Sequence, residues 1–470
     1  MQNRAGNIVS IIHDPNIDYP IKYEPDNSLL GIRNSMLPYI RKLLLQAEFY
    51  DGYNLLKKYI KPGMKVFILC NFVYQRKKHE KELDFLGKCT NGSVIAAVAE
   101  LCLQAVGEKG TITFGNAPLQ SCNFDLVLEN TGSNIILEQS KQKGLNISCK
   151  DLRSYVVKRT RLGNLVPIKT SHNDKIVEVD LGKYSLLNDI QNKGSGLAKF
   201  RVSDYNPIYT ERYHDLNSHR YIISKDILDA DVIINIPKMK THEKVGVTLG
   251  TKGYVGAIAS KECLAHHRFG PPSLGGDEYP DYNYFDLLGS KFHEFVFRQI
   301  YSKRLLCLLQ ILDRIYKKAL RLAGRVEDGA WFGNDTAWRM AIDIARICHY
   351  ADKDGKLSRE KQRDNLLIID GIVGGEGNGP LAVRGIKSGV LLFSDNVALG
   401  DKVACRLMGY DYKKIPIVRE FLKEMDFSVA PSKSDCHIIL NGKFIRESDI
   451  NTALGRPFKP PKHWLNYLIT

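Results

Sequence analysis

The sequence predicts an α/β protein of two lobes, with mainly parallel, Rossmann-like sheets and one inserted long amphipathic helix. Residues 66–70 (VFILC) and Val232–Ile236 (VIINI) are short, continuous apolar runs, the pattern of central strands buried on both faces. A strand at 66–70, a helix at 94–106 and a strand at 111–114 follow one another in the order of a parallel crossover unit. The length, 470 residues, exceeds that at which one hydrophobic core usually keeps growing. The expected division is an N-terminal α/β lobe over 1–285, a basic helical insertion over 286–330 and a C-terminal α/β lobe over 331–470.

The first strand follows the turn Lys61-Pro62-Gly63 and stops at Asn71. Ser93 is positioned to cap the apolar helix 94–106. The strand 111–114 closes at Gly115-Asn116-Ala117-Pro118. Ligands in open parallel sheets sit at the carboxyl ends of the strands, which places Asn71, Thr90 and Asn116 near a potential site. Residues 222–230 read as a helix. The strand Val232–Ile236 then runs into Pro237-Lys238-Met239-Lys240-Thr241-His242. Residues 292–322 read as one long basic amphipathic helix. In the last third, 336–350 is helical, 366–369 is a strand ending at Asp370, 371–380 (GIVGGEGNGP) is a turn-rich segment, 389–393 is a strand and 397–408 a helix.

Composition narrows the function classes. The N-terminus lacks the basic, apolar and small-residue regions of a secretory signal, and no apolar run approaches the ~20 residues needed to span a bilayer, so the expected location is cytoplasmic. Ten cysteines without a CxxC pair suit reduced, buried thiols and argue against a built-in ferredoxin module. The net charge of +15 implies an anionic partner: a small-molecule substrate, a nucleotide or an anionic membrane surface touched peripherally through 292–322. Compact nucleic-acid-binding signatures are absent, and no specific nucleic-acid partner is expected.

The chemistry concentrates between Asn235 and His267. Lys238, Lys240 and Lys252 stand beside a loop punctuated by Gly246, Gly250, Gly253 and Gly256, where free amides and ammonium groups make an anion site. The candidate cofactor- or anion-binding groups are Lys238, Lys240, Thr241, Thr248, Thr251 and Asn378. The candidate catalytic groups are His242, Lys252 and Glu376, with 371–380 forming the facing wall. His266 and His267 are the candidate metal ligands; being adjacent, they point different ways on most backbones, so one of the two is expected to serve.

These motifs resemble the DUF362 family: a strand, Pro237–His242 as Pro-Lys-x-Lys-Thr-His, then Gly246-Val247-Thr248-Leu249-Gly250-Thr251-Lys252-Gly253. The likeness continues through His266-His267-Arg268, Gly275–Glu278, Gly333–Thr336, Trp338–Met340 and Gly375–Pro380, covering about 70–464. The family name assigns no function. A weaker resemblance is to the nickel-dependent lactate racemase family, where a His precedes a glycine-loop Lys by ten residues and a further His follows. That likeness implies proton transfer by His242, a nickel-pincer nucleotide or another divalent-metal cofactor held by Lys252, and metal ligation by His266 or His267. Where the racemase family has a second acid/base His, this chain has Asn91. The expectation is therefore a cofactor- or metal-dependent enzyme acting on an anionic small molecule, a racemase- or epimerase-like isomerase. The alternatives are an iron–sulphur or other metal redox protein, and a non-catalytic binding protein in a surface-polysaccharide or membrane-associated pathway.

Overall fold

The computed structural model describes residues 7–47, 56–159, 165–171, 174–192, 198–203, 205–298, 306–430 and 436–468. Its centre is an eleven-stranded sheet made of β1 (Ile8–His13), β2 (Lys65–Cys70), β3 (Thr111–Asn116), β4 (Ile147–Asp151), β5 (Val232–Ile236), β6 (Lys238–His242), β7 (Gly246–Thr248), β8 (Asp364–Asn378), β9 (Ala382–Ser394), β10 (His437–Leu440) and β11 (Lys443–Ile445). The order across it is β11-β10-β1-β9-β8-β5-β2-β3-β4, with β6 beside β8 and β7 beside β6. The run β8-β5-β2-β3-β4 is parallel throughout, as the apolar runs predict, while β9 meets both β1 and β8 antiparallel.

Side chains alternate between two cores. Phe67, Leu69, Ile233, Leu367 and Ile369 belong to one cluster, and Val66, Ile68, Ile234, Leu366 and Ile368 to the other. This period of two on both buried faces is why the strands read as unbroken apolar runs. The second face is covered by α1 (Gly92–Val106), buried almost along its whole length. Asn91, not Ser93, caps this helix: its side chain accepts from the Ser93 amide at 2.9 Å.

Four expectations need correction. First, the strands do not sort into two sheets at the 285 and 331 boundaries; β1 lies between β9 and β10, and β5 between β2 and β8. Second, residues 220–230 begin as a strand, Arg220–Ser224, paired antiparallel with Ile176–Asp180, followed by a four-residue helix. Pairing of the β-branched Ile222 and Ile223 overrides the local helical pattern. Third, 371–378 is not a turn but the second half of β8. Gly375 serves close packing: a Cβ there would stand 2.6 Å from the Gly87 carbonyl oxygen. Fourth, the single helix expected at 292–322 is two helices in the described residues, α2 (Tyr284–Arg298) and α3 (Leu306–Leu322); 299–305 lies outside them. The helices 337–350 and 397–407 stand as expected. The described cysteines are unpaired thiols. Among the described residues no helix is long and apolar enough to cross a membrane.

Candidate anion-binding cleft

The carboxyl ends of β2, β3 and β5 converge on a cleft of about 650 Å³. Asn71 follows β2, Asn116 ends β3, and β5 passes through Pro237 into β6, which contributes Lys240 and His242. Thr248 of β7 and Lys252, Lys261 and His266 from the segment after it complete the polar lining, against Phe72, Val73, Val255 and Leu264. Lys240 and His242 share a face because strand side chains repeat every two residues. Among the described residues, no aspartate or glutamate lines the cleft.

Lys240 and Lys261 donate to neutral oxygens of the protein. Lys240 is fully buried, and its Nζ donates to Asn71 Oδ1 at 2.7 Å and to the Lys88 carbonyl. Burial, reinforced by Lys238, Lys88 and Lys252, pushes its ammonium down to about 7. Lys261 donates to the Ala117 carbonyl at 2.7 Å; burial and then Lys252 and Arg153 bring it to about 7. Lys252, half-buried, is lowered to about 8 by burial and by Lys244. Among the described residues none of these ammonium groups forms an ion pair with a carboxylate, and their desolvation favours an anion brought from outside.

The histidines are neutral for the same reason. The Lys244 amide donates to His242 Nδ1 at 3.1 Å, which leaves the ring proton on Nε2. Burial, then Lys252 and His266, hold His242 well below the ordinary imidazole range. His266 is lowered likewise by burial, Lys244 and Lys252. Three buried polar atoms of the lining, Thr248 Oγ1, Asn116 Oδ1 and His266 Nδ1, have no hydrogen-bond partner among the described residues. Such atoms are costly unless a ligand or water meets them.

Of the residues expected from the sequence, Asn71, Asn116, Lys240, His242, Thr248, Lys252 and His266 therefore meet in one cavity, and the others do not line it. Lys238 forms a fully buried ion pair with Asp370 at 2.9 Å. Tyr19 joins them, donating to Asp370 Oδ1 at 2.5 Å and accepting from Lys238 at 2.6 Å. A register shift between Lys238 and Lys240 against β8 separates the two lysines. Thr241, on the opposite face of β6, donates to the Gly377 carbonyl at 2.7 Å. The amides of Gly250 and Thr251 do bind an anion, but it is the protein's own: both donate to Asp401 (2.6 and 2.8 Å), as does Thr251 Oγ1 at 2.6 Å. A Cβ on Gly250 would come within 2.9 Å of that carboxylate, so the glycine serves this contact rather than a ligand.

Glu376 is turned toward the C-terminal segment, accepting from Arg456 at 2.9 and 3.2 Å and from the Lys459 amide at 2.9 Å. Against the upward push of burial, those bonds hold its carboxyl below the usual range. Asn378 is exposed and accepts from the Lys462 amide. Pro380, not the 375–379 backbone, contributes to the cleft wall.

His267 parts company with His266. Its ring, Glu278 and Asp328 offer ligand atoms within 4.8 Å of one another, and these three could hold a divalent ion. His267 Nδ1 is buried and unpartnered, while Lys317 lies 3.0 Å from Asp328 and already supplies a cation there. No cysteine belongs to such a group among the described residues. Asn91, at the position of the racemase family's other His, is a helix cap whose own amide donates to Asp370.

Lys261 escaped the sequence reading. The signal was present: Lys261 and Glu262 interrupt an otherwise small and apolar stretch, 254–260 before them and Cys263-Leu264-Ala265 after, which leaves little solvated face for a lysine.

Two comparisons with known proteins bear on this site. A family model described as a domain of unknown function, DUF362, matches residues 190–406 and so contains every cationic residue of the cleft. A thylakoid-associated protein of Synechocystis sp. is 44% identical over 39 residues, 8% of this chain. The match spans only 12% of that protein's length.

Proposed function

Because residues 190–406 of this chain form a DUF362 domain and its buried cations converge on one cleft, we propose an enzyme that binds an anionic small molecule and moves a proton on it. The observation that carries this reading is the meeting of Lys240, Lys252, Lys261, His242 and His266 in a cavity with no acidic lining. A carboxylate or phosphate on the substrate pairs with the ammonium groups. Lys252, lowered to about 8, is partly a free amine near neutral pH and is the acid/base group. It takes the C–H proton next to a carbonyl or carboxylate while the electron pair moves onto that oxygen. Neutral His242, with its proton on Nε2, donates a hydrogen bond to the developing oxyanion. Lys252 then returns a proton, exchanged with solvent, to the same face of that carbon, which restores the substrate and leaves a solvent-derived hydrogen on it. This revises the role expected for His242: an imidazole so far below its usual range is a poor base but a good neutral donor.

The test is deuterium incorporation from D2O into a panel of 2-hydroxy and 2-oxo carboxylates, followed by NMR. Wild type incorporates deuterium into at least one, Lys252→Met does not, and His242→Gln retains a fraction. Equal incorporation by Lys252→Met overturns the role of Lys252. No incorporation by wild type, together with tight sulfate binding, favours a binding protein.

A second reading, a metal-dependent protein, is favoured by the His267–Glu278–Asp328 group. Metal analysis after purification decides it: His267→Ala and Glu278→Gln lose a bound ion that wild type retains, or wild type retains none.

A further inference from the structure

The two helices α2 and α3 fold back on each other. The Tyr316 hydroxyl donates to the Phe285 carbonyl at 3.1 Å, His293 and Asp313 meet at 2.9 Å, and Leu309 packs with Val296 and Phe297. With the polar and small residues Gly289, Ser290, His293 and Asp313 turned to the interior, the apolar residues that remain face outward. On α2 these are Phe285 (76% exposed), Leu288 and Phe295, at the spacing of one helical stripe. On α3 they are Leu308 (62%), Ile311, Leu312 and Ile315 (60%), again one stripe, with Leu322 continuing it. A monomer that stays in water rarely leaves such contiguous stripes open.

Charge identifies what covers them. Lys291 borders the α2 stripe, and Arg314 and Lys318 border that of α3; all three are exposed. Every exposed position described on α3 is apolar or basic, its Asp313 being buried. We propose that this helix pair is a docking surface for an anionic lipid bilayer, its apolar stripes entering the acyl boundary and its cations meeting the headgroups. A helix of 17 residues lies about 25 Å along such a surface, long enough for several apolar side chains to enter together. A second copy of this chain fits less well, because a two-fold contact presses this patch, with its exposed Lys291, Arg314 and Lys318, against the same positive patch. The surface is separate from the cleft, so the two readings stand or fall independently.

The experiment is flotation of the full-length protein with vesicles of phosphatidylcholine alone and of phosphatidylcholine with phosphatidylglycerol. Binding to the anionic vesicles is expected to exceed that to neutral ones at least tenfold and to weaken as salt is raised. Leu308→Gln with Ile315→Gln should lower it at least tenfold, and Arg314→Glu with Lys318→Glu should remove the preference for anionic lipid. All four positions are exposed, and unchanged far-ultraviolet circular dichroism and thermal midpoint report that the variants fold. The proposal is overturned if wild type does not float with anionic vesicles, if neutral and anionic vesicles bind equally, or if sedimentation shows a dimer that Leu308→Gln with Ile315→Gln dissociates.

Discussion

Sulfate stays a dianion from about pH 6 to about pH 9, so a titration across that range varies the cleft lysines and not the ligand. An anion binds the ammonium form, and binding raises the lysine's affinity for its proton. For one lysine at about 7, such as Lys240 or Lys261, the charged fraction falls from nearly all to about one hundredth over that range, which weakens sulfate about 100-fold. If both contact the ligand the losses multiply toward about 10⁴-fold, and Lys252, at about 8, contributes about a further tenfold near the top of the range. Calorimetry in two buffers of different ionisation enthalpy should show proton uptake on binding. Lys240→Met should weaken binding at the acid end and flatten the pH dependence. The free protein carries the opposite linkage. These lysines titrate lower folded than unfolded, so the stability they contribute is full above the unfolded value of 10.5 and is lost as pH falls through about 7. For Lys240 alone the amount is on the order of 5 kcal/mol. A sulfate affinity that does not change across the range in wild type would refute the assignment of these lysines to the site.

Three further outcomes test the placement of individual residues. Lys238→Met leaves Asp370 charged, buried and without its cation; urea unfolding should show a loss of about 3–5 kcal/mol, partly recovered by adding Asp370→Asn. If sulfate affinity in the folded Lys238→Met protein falls more than tenfold instead, Lys238 belongs to the ligand. Asp401→Ala strips three hydrogen bonds from Gly250 and Thr251, so a loss of at least about 3 kcal/mol is expected in the same assay, with weaker sulfate binding because Lys252 sits on that turn. Glu376→Gln should leave deuterium incorporation within about twofold of wild type and cost about 1 kcal/mol, the partly exposed Arg456 keeping the ion pair weak; loss of the exchange reaction would restore Glu376 to a catalytic role.

What the sequence revealed and what it hid follow from range. The strands 66–70 and Val232–Ile236 were legible because burial on both faces writes itself into every residue of the run. The lysines and histidines after β5 were legible because so many cations rarely follow a buried strand. Which of them share a cavity was not. Lys238 and Lys240 have the same parity on β6, and only the register shift against a strand more than 120 residues away sends Lys238 to Asp370. The glycines misled for a related reason. Gly250 and Gly375 admit carboxylate or backbone from remote parts of the same chain, and a close approach within the protein has the same local signature as an approach to a ligand.

The position of β1 has a consequence for how the protein is made. Ile8–His13 is hydrogen-bonded on one edge to residues 390–394 and on the other to 437–440. This strand thus waits for residues made more than 370 positions later before its first edge is satisfied, and more than 420 positions later before its second. At ordinary rates of synthesis that delay is roughly half a minute or more, during which the sheet has an incomplete margin open to chaperones and to mispairing. Contacts so distant along the chain also make closure slow once translation ends. Deleting a few residues from either terminus of this pairing should therefore harm yield in the cell far more than it alters chemistry in the cleft.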